Sequence, residues 1–145
     1  MKVHMSDIWR LAGFIGAAML FPGSIAIAGA PGEVLACSIE ARYDCGKTGC
    51  RDAEEGFAQA ERFRIDTKRQ RLTACLWSAC FSGNASIWST ADGEIQGAAR
   101  LRRDHGREFL TLTFTLLKDR RFSTMYGTGE LATAVAFGKC ERESV

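Results

Sequence analysis

Histidine is nearly absent from this chain of 145 residues, where His4 and His105 are the only two. His4 belongs to an N-terminal stretch with the features of an export signal, which leaves His105 alone in the body of the protein. A lone imidazole offers a serine or cysteine nucleophile no relay and a metal ion no second histidine ligand. His105 also sits in Arg103-Asp104-His105-Gly106, a turn composition that points to a surface position. A phosphate loop, a dinucleotide fingerprint and a calcium loop are missing as well. Gly127-Thr128-Gly129 is a short glycine pattern that suits a hairpin, and Glu54-Glu55 and Glu141 with Glu143 read as solvent-facing carboxylates. The sequence therefore assigns no catalytic residue, no cofactor and no metal ligand, and an enzyme of unrecognised type is the third of three readings.

An excess of charge is lacking too. Nineteen basic residues face seventeen acidic ones, and a nucleic-acid binder would carry a strongly basic stripe with interleaved aromatics. Long apolar runs are confined to Leu11–Ile27, which follows Lys2 and Arg10 and ends in the small-x-small pattern Ala26-Ile27-Ala28. That is the build of a signal peptide cut after Ala28, so residues 1–28 are expected to leave and 29–145 to form one small domain. As an uncleaved anchor the run is short for a bilayer core that needs about 20 apolar residues, and Pro22-Gly23 interrupts it. Val34-Leu35-Ala36-Cys37 loosely imitates a lipoprotein box, but Glu33 and Pro31-Gly32 separate it from the apolar run. The expected location is periplasmic or secreted, with a signal anchor or a lipoprotein as the alternatives and no stable membrane span after cleavage.

What the chain does have is cysteine: Cys37, Cys45, Cys50, Cys75, Cys80 and Cys140 all follow the signal. Cys45 to Cys50 and Cys75 to Cys80 share a four-residue spacer, short enough to close local loops. Pairing the remaining Cys37 with Cys140 ties the start of the fold to its end and removes on the order of 4 to 5 kcal/mol of unfolded-state entropy. Two Cys-x4-Cys pairs also fall within zinc-site spacing, but an oxidising compartment favours disulfides.

The body reads as strands. Leu35, Cys37, Ile39, Ala41 and Tyr43 alternate with polar or small partners, as do Phe63 and Ile65, a run from Leu72 to Trp77, Ala85 to Thr90, and Ile95 to Arg102 after the Asp92-Gly93 hairpin signal. Phe109 to Leu117 sets Leu110, Leu112, Phe114 and Leu116 against Thr111, Thr113 and Thr115. Phe122, Thr124 and Tyr126 follow, then Leu131, Thr133, Val135 and Phe137; a helical turn is plausible at Asp52 to Glu61. About eight short strands without helical crossovers predict an all-β, antiparallel up-and-down meander stapled by disulfides. A small barrel is preferred because closure removes exposed edges, and a two-sheet sandwich is the alternative.

An up-and-down order gathers Lys68, Arg69, Arg71, Lys118, Arg120 and Arg121 at one end, a rim suited to an anionic envelope component. Trp77, inside the Cys75–Cys80 loop, and Trp88, on the neighbouring strand, are candidate ligand or partner contacts. The leading expectation is an exported non-catalytic binding module for an apolar or anionic envelope ligand. The second is a protein-interaction or hydrolase-inhibitor module that presents a disulfide-rigid loop.

Overall fold

The computed structural model describes residues 32–53, 61–77, 79–127 and 133–144. The expected signal peptide, Thr128 and Gly129 of the expected glycine hairpin, Leu131 of the expected last strand and most of the expected helical turn at 52–61 lie outside the described residues. Nine strands follow one another: β1 Val34–Gly46, β2 Gly49–Asp52, β3 Arg62–Asp66, β4 Arg71–Leu76, β5 Ala79–Ser89, β6 Ile95–Arg103, β7 Phe109–Leu116, β8 Arg121–Gly127 and β9 Thr133–Arg142. From β3 to β9 each strand pairs antiparallel with the next, and β9 returns to pair with β1. Eight strands thus close a barrel. The ninth, β2, went unread in the sequence: it pairs with the last residues of β1, while β3 pairs with the first ones.

Closure is built on alternation. On β7 the leucines and Phe114 are buried, and Thr111 and Thr113 are exposed. Inward aromatics meet across the barrel, with Phe63 packed 5.5 Å from Phe122 and 5.7 Å from Tyr126, centroid to centroid. Phe114 adds a contact to Phe122 at 6.0 Å. An eight-stranded barrel has an interior that side chains can just fill, and here the inward side chains of the described residues form one buried core cluster. Apolar inside with charge outside is also the reverse of the pattern in barrels that span lipid.

The three disulfides are Cys37–Cys140, Cys45–Cys50 and Cys75–Cys80. Each joins residues directly opposite in register. The four-residue spacer has a simple origin: Gly46 opposes Gly49 and Leu76 opposes Ala79, so each pair encloses one rung and a two-residue turn. Cys37–Cys140 lies in the core and clamps the strands that close the barrel.

One expectation about β1 is corrected. Ile39 opposes Gly138 and Ala41 opposes Phe137, which leaves Glu40 as the extra residue of a β-bulge. Side chains have period two, so an inserted residue exchanges the faces beyond it. Leu35, Cys37 and Ile39 point inward, whereas Tyr43 is exposed and Arg42 turns toward the interior. On β9 the inward set is Ala134, Ala136 and Cys140, so Val135 and Phe137 face out.

Gly138 makes the bulge possible, because a Cβ there would collide with the carbonyl of Ser38. Gly138→Ala is expected to cost about 1–3 kcal/mol through overpacking against backbone. Gly46→Ala, where nothing lies within 4 Å of the added carbon, should change stability by less than about 0.5 kcal/mol. Urea midpoints of the two variants check both values, and equal midpoints would remove the steric account of Gly138.

Candidate functional site

The two ends of the barrel are closed by carboxylates that the sequence does not distinguish from surface charge. At one end, fully buried Glu61 accepts from the Tyr126 hydroxyl and, at 2.5 Å, from Arg42. Arg42 also donates to Asp44 through Nε and Nη2 at 3.0 and 2.8 Å. Burial pushes Glu61 above the usual glutamate range even though Tyr126 and Arg42 pull it back. The Tyr126 phenol is raised as well, first by burial and then by its bond to Glu61. Arg42 reaches this group only because of the bulge. Glu61 is fully buried and spends one oxygen on each partner, so its carboxylate is committed to the core, while Asp44 on the far side of Arg42 stays 40% exposed.

At the other end Glu33 fastens the strand termini. Its backbone exchanges hydrogen bonds with Thr67, and its carboxylate takes Arg120 at 3.1 Å and Arg142 at 2.8 Å. This is also the end of the predicted basic rim. Asp66 holds Arg69 at 3.3 Å and Asp119 holds Arg121 at 2.6 Å, so all three rim arginines outside β4 have carboxylate partners. Lys118 packs over the turn at Gly93, and Lys68 lies beside Gly32. Arg71 stands on the outer wall of β4, in a groove shared with Arg64 and Asp104. The six cations share an end of the molecule without converging on one point.

The two tryptophans are not brought together. Trp77 opens the β4–β5 turn and is 61% exposed. Trp88 lies near the far end of β5, about 30 Å further along the strand at 3.3–3.4 Å per residue. His105 takes a positive φ of 61° in the β6–β7 turn. Among the described residues, no group of three or more His, Cys, Asp or Glu side chains is placed to hold a metal ion.

What Trp88 does join is a feature visible only once strand register is known. The outward row Trp88, Gln96, Thr115, Ser123, Phe137 and Ala41 runs from β5 across β6, β7, β8 and β9 to β1. The next row is Ser86, Ala98, Thr113, Met125, Val135 and Tyr43. None of these twelve residues is charged, in a chain that is one-quarter charged. Met125, Phe137 and Tyr43 are 51, 46 and 37% exposed. Phe137 is braced edge-on by Tyr43, with centroids 6.2 Å apart. Between Trp88 and Phe137 the band forms a groove of about 420 Å³ floored by Thr113, Thr115 and Ser123. Part of this was readable in advance, since the threonine face of β7 stands out in the sequence. The rest depended on the bulge, which turns Tyr43 outward, and on the phase of β9, which turns Val135 and Phe137 outward.

The carboxylates at the two ends carry opposite pH signatures. Burial alone would raise Glu33, but its bonds and charge attraction to Arg120 and Arg142 outweigh it and hold Glu33 below the usual value of 4.5. A lowered folded-state value stabilises the fold above the unfolded value, and that contribution is lost as pH falls through the folded one. Glu33→Gln should therefore be less stable than the parent at neutral pH, by about 1 kcal/mol or less given its exposed partners. Urea titrations from pH 7 down should show that gap shrinking once the pH drops below 4.5; a gap independent of pH would mean that Glu33 acts only by packing. Compared with protein-family models, with curated proteins and with solved structures, the chain matches none.

Proposed function

We propose that the protein is an exported, non-catalytic binding module whose contact surface is the uncharged band on its outer wall. The carrying observation is that band of twelve outward residues without a charge, including three exposed large apolar side chains. Exposed apolar groups scattered singly are ordinary on a protein surface, whereas a contiguous patch marks a contact site. Export is supported by the signal-like N-terminus and by three disulfides that leave no free cysteine. The inward side chains of the described residues pack as one core, which favours the wall over the lumen for an apolar ligand. The engaged arginines of the rim make the anionic form of the ligand the weaker choice.

A neutral solvatochromic naphthylamine probe tests the location. Saturable binding to the parent is expected, weakened about tenfold or more by Phe137→Asp, the loss expected when an interface anchor is removed. Binding that survives Phe137→Asp unchanged would remove the wall as the site.

A second reading has one specific observation in its favour. Trp77, 61% exposed, is carried on a hairpin closed by Cys75–Cys80, and a rigid exposed tryptophan is a common interface anchor. An interaction or inhibitor module would lose its partner on Trp77→Ala at unchanged melting temperature. The wall reading expects the naphthylamine probe to bind that variant as it binds the parent.

A further inference from the structure

We infer that the ligand of the band is an extended neutral glycan, an inference that rests on the wall being the contact surface. The row from Trp88 to Phe137 places one residue on each of five strands in the order aromatic, amide, hydroxyl, hydroxyl, aromatic. Four inter-strand steps of about 4.8 Å make that row about 19 Å long. Met125 and Thr113 widen it on one side and complete the groove. A sugar ring has an apolar C–H face that rests on an aromatic ring and a rim of hydroxyls that exchange hydrogen bonds with Gln96, Thr115 and Ser123. A chain of such rings matches an elongated row with aromatics at its ends and neutral polar groups between them.

Charge separates this ligand from an acidic one. The cations that border the band are Arg100, Arg121 and Lys139, and each is occupied. Arg100 lies over the Phe109 ring at 4.3 Å, Arg121 is held by Asp119 at 2.6 Å, and Lys139 is held by Glu40 at 3.4 Å. Shape separates it from a second copy of the chain. Five inter-strand steps by two residue rows give about 24 × 14 Å, under half of the roughly 800 Å² per partner that a standard protein interface buries. That area also wraps around a convex barrel, which a slender ligand can follow and a second barrel cannot. A lipid surface would bury the hydroxyl row without partners, at a cost for each group. An added β-strand finds no open edge on β6, β7, β8 or β9, which are paired on both sides, and where the β4 ladder ends at Asn84 the Ala85 and Ile87 N–H groups of β5 are taken by Gln70.

The test uses the full chain carrying Trp77→Phe, in which Trp88 is the only tryptophan after residue 28. Neutral gluco-oligosaccharides and N-acetylglucosamine oligosaccharides, a polyuronate and phosphatidylcholine vesicles are titrated against Trp88 emission, with sedimentation to score self-association. The expected result is saturable binding of a neutral oligosaccharide, insensitive to salt because no ion pair is involved. Phe137→Ala and Ser123→Ala should each weaken it, the former about tenfold as expected for a stacking anchor, with melting temperatures unchanged. Preferential or salt-sensitive binding of polyuronate, binding to vesicles, or a concentration-dependent dimer lost on Phe137→Asp would each overturn the inference. If no neutral oligosaccharide binds while the naphthylamine probe still depends on Phe137, the glycan assignment falls and the wall remains. If the probe is also indifferent to Phe137, both fall.

Discussion

The closing ladder between β1 and β9 is the constraint from which the rest of the structure follows. Until those two strands meet, the sheet has two open edges and no defined inside. Once they meet, every outward residue is fixed by its parity along a strand. The ladder is held by Cys37–Cys140 in the core, joining positions 103 residues apart, so the longest loop in the molecule is closed by a covalent bond. It also carries the one irregularity that matters. The bulge at Glu40, opposite Gly138, lets β1 keep Leu35, Cys37 and Ile39 in the core and still present Tyr43 to solvent beside Phe137. The same shift sends Arg42 inward to Glu61. A single inserted residue therefore links the closure of one end of the barrel to the aromatic composition of its outer wall.

Those two ends are solved differently. At the Glu61 end the carboxylate is fully buried and burial dominates its titration; at the Glu33 end the paired arginines dominate. The contrast follows from partner count and exposure. Glu33 receives two guanidinium groups at the rim, one from the turn before β8 and one from β9, both partly exposed, whereas Glu61 shares one guanidinium and a phenol within the barrel mouth. A buried pair of that kind is weak evidence of net stability and better evidence of a defined arrangement. Here it fixes the inward direction of Arg42, which the bulge alone would leave to choose between the interior and the solvent above it.

Much of this was legible in the residues themselves. The alternation on β7, the Asp92-Gly93 turn and the Cys-x4-Cys spacers are local signals, and each fixes a local element: a strand face, a hairpin, a closed turn. The terminal disulfide is a preference from spacing among the fifteen connectivities that six cysteines allow, and the structure has that pairing. What could not be read is whatever depends on two strands meeting. The apolar alternation of Leu35 to Tyr43 reads as one continuous face because nothing in the sequence of β1 announces the bulge; its steric cause, Gly138, lies about a hundred residues away. The phase of β9 was obscured because Val135 and Phe137 are more apolar than the inward Ala134 and Ala136. Size ordinarily identifies the core face, and here the small residues are the buried ones. The cations of the basic rim share one end, and Glu33, which engages Arg120 there, reads in the sequence only as a charge between the apolar run and Cys37.

That inversion on β9 bears on what the outer wall is for. Strand alternation sorts residues between inside and outside; it says nothing about how the outside is shared around the circumference. On the wall of β3, β4 and the end of β9 the outward positions include Arg62, Arg64, Arg71 and Glu141, so charged side chains fit the outward positions of this barrel. High strand propensity alone therefore does not account for the neutral band, although threonine, valine and aromatics are good strand formers. An exposed apolar surface carries a risk of aggregation, and that risk is moderated here because β6 to β9 are paired on both sides and Gln70 takes the Ala85 and Ile87 N–H groups of β5 beyond the β4 ladder. What remains is a neutral, aromatic and hydroxyl-bearing surface on a rigid support. Phe137 and Tyr43, the most exposed rings of the band, stand on the same β1–β9 ladder that Cys37–Cys140 closes further along. The same ladder that gives the molecule an inside thus holds the most exposed part of its outside in place.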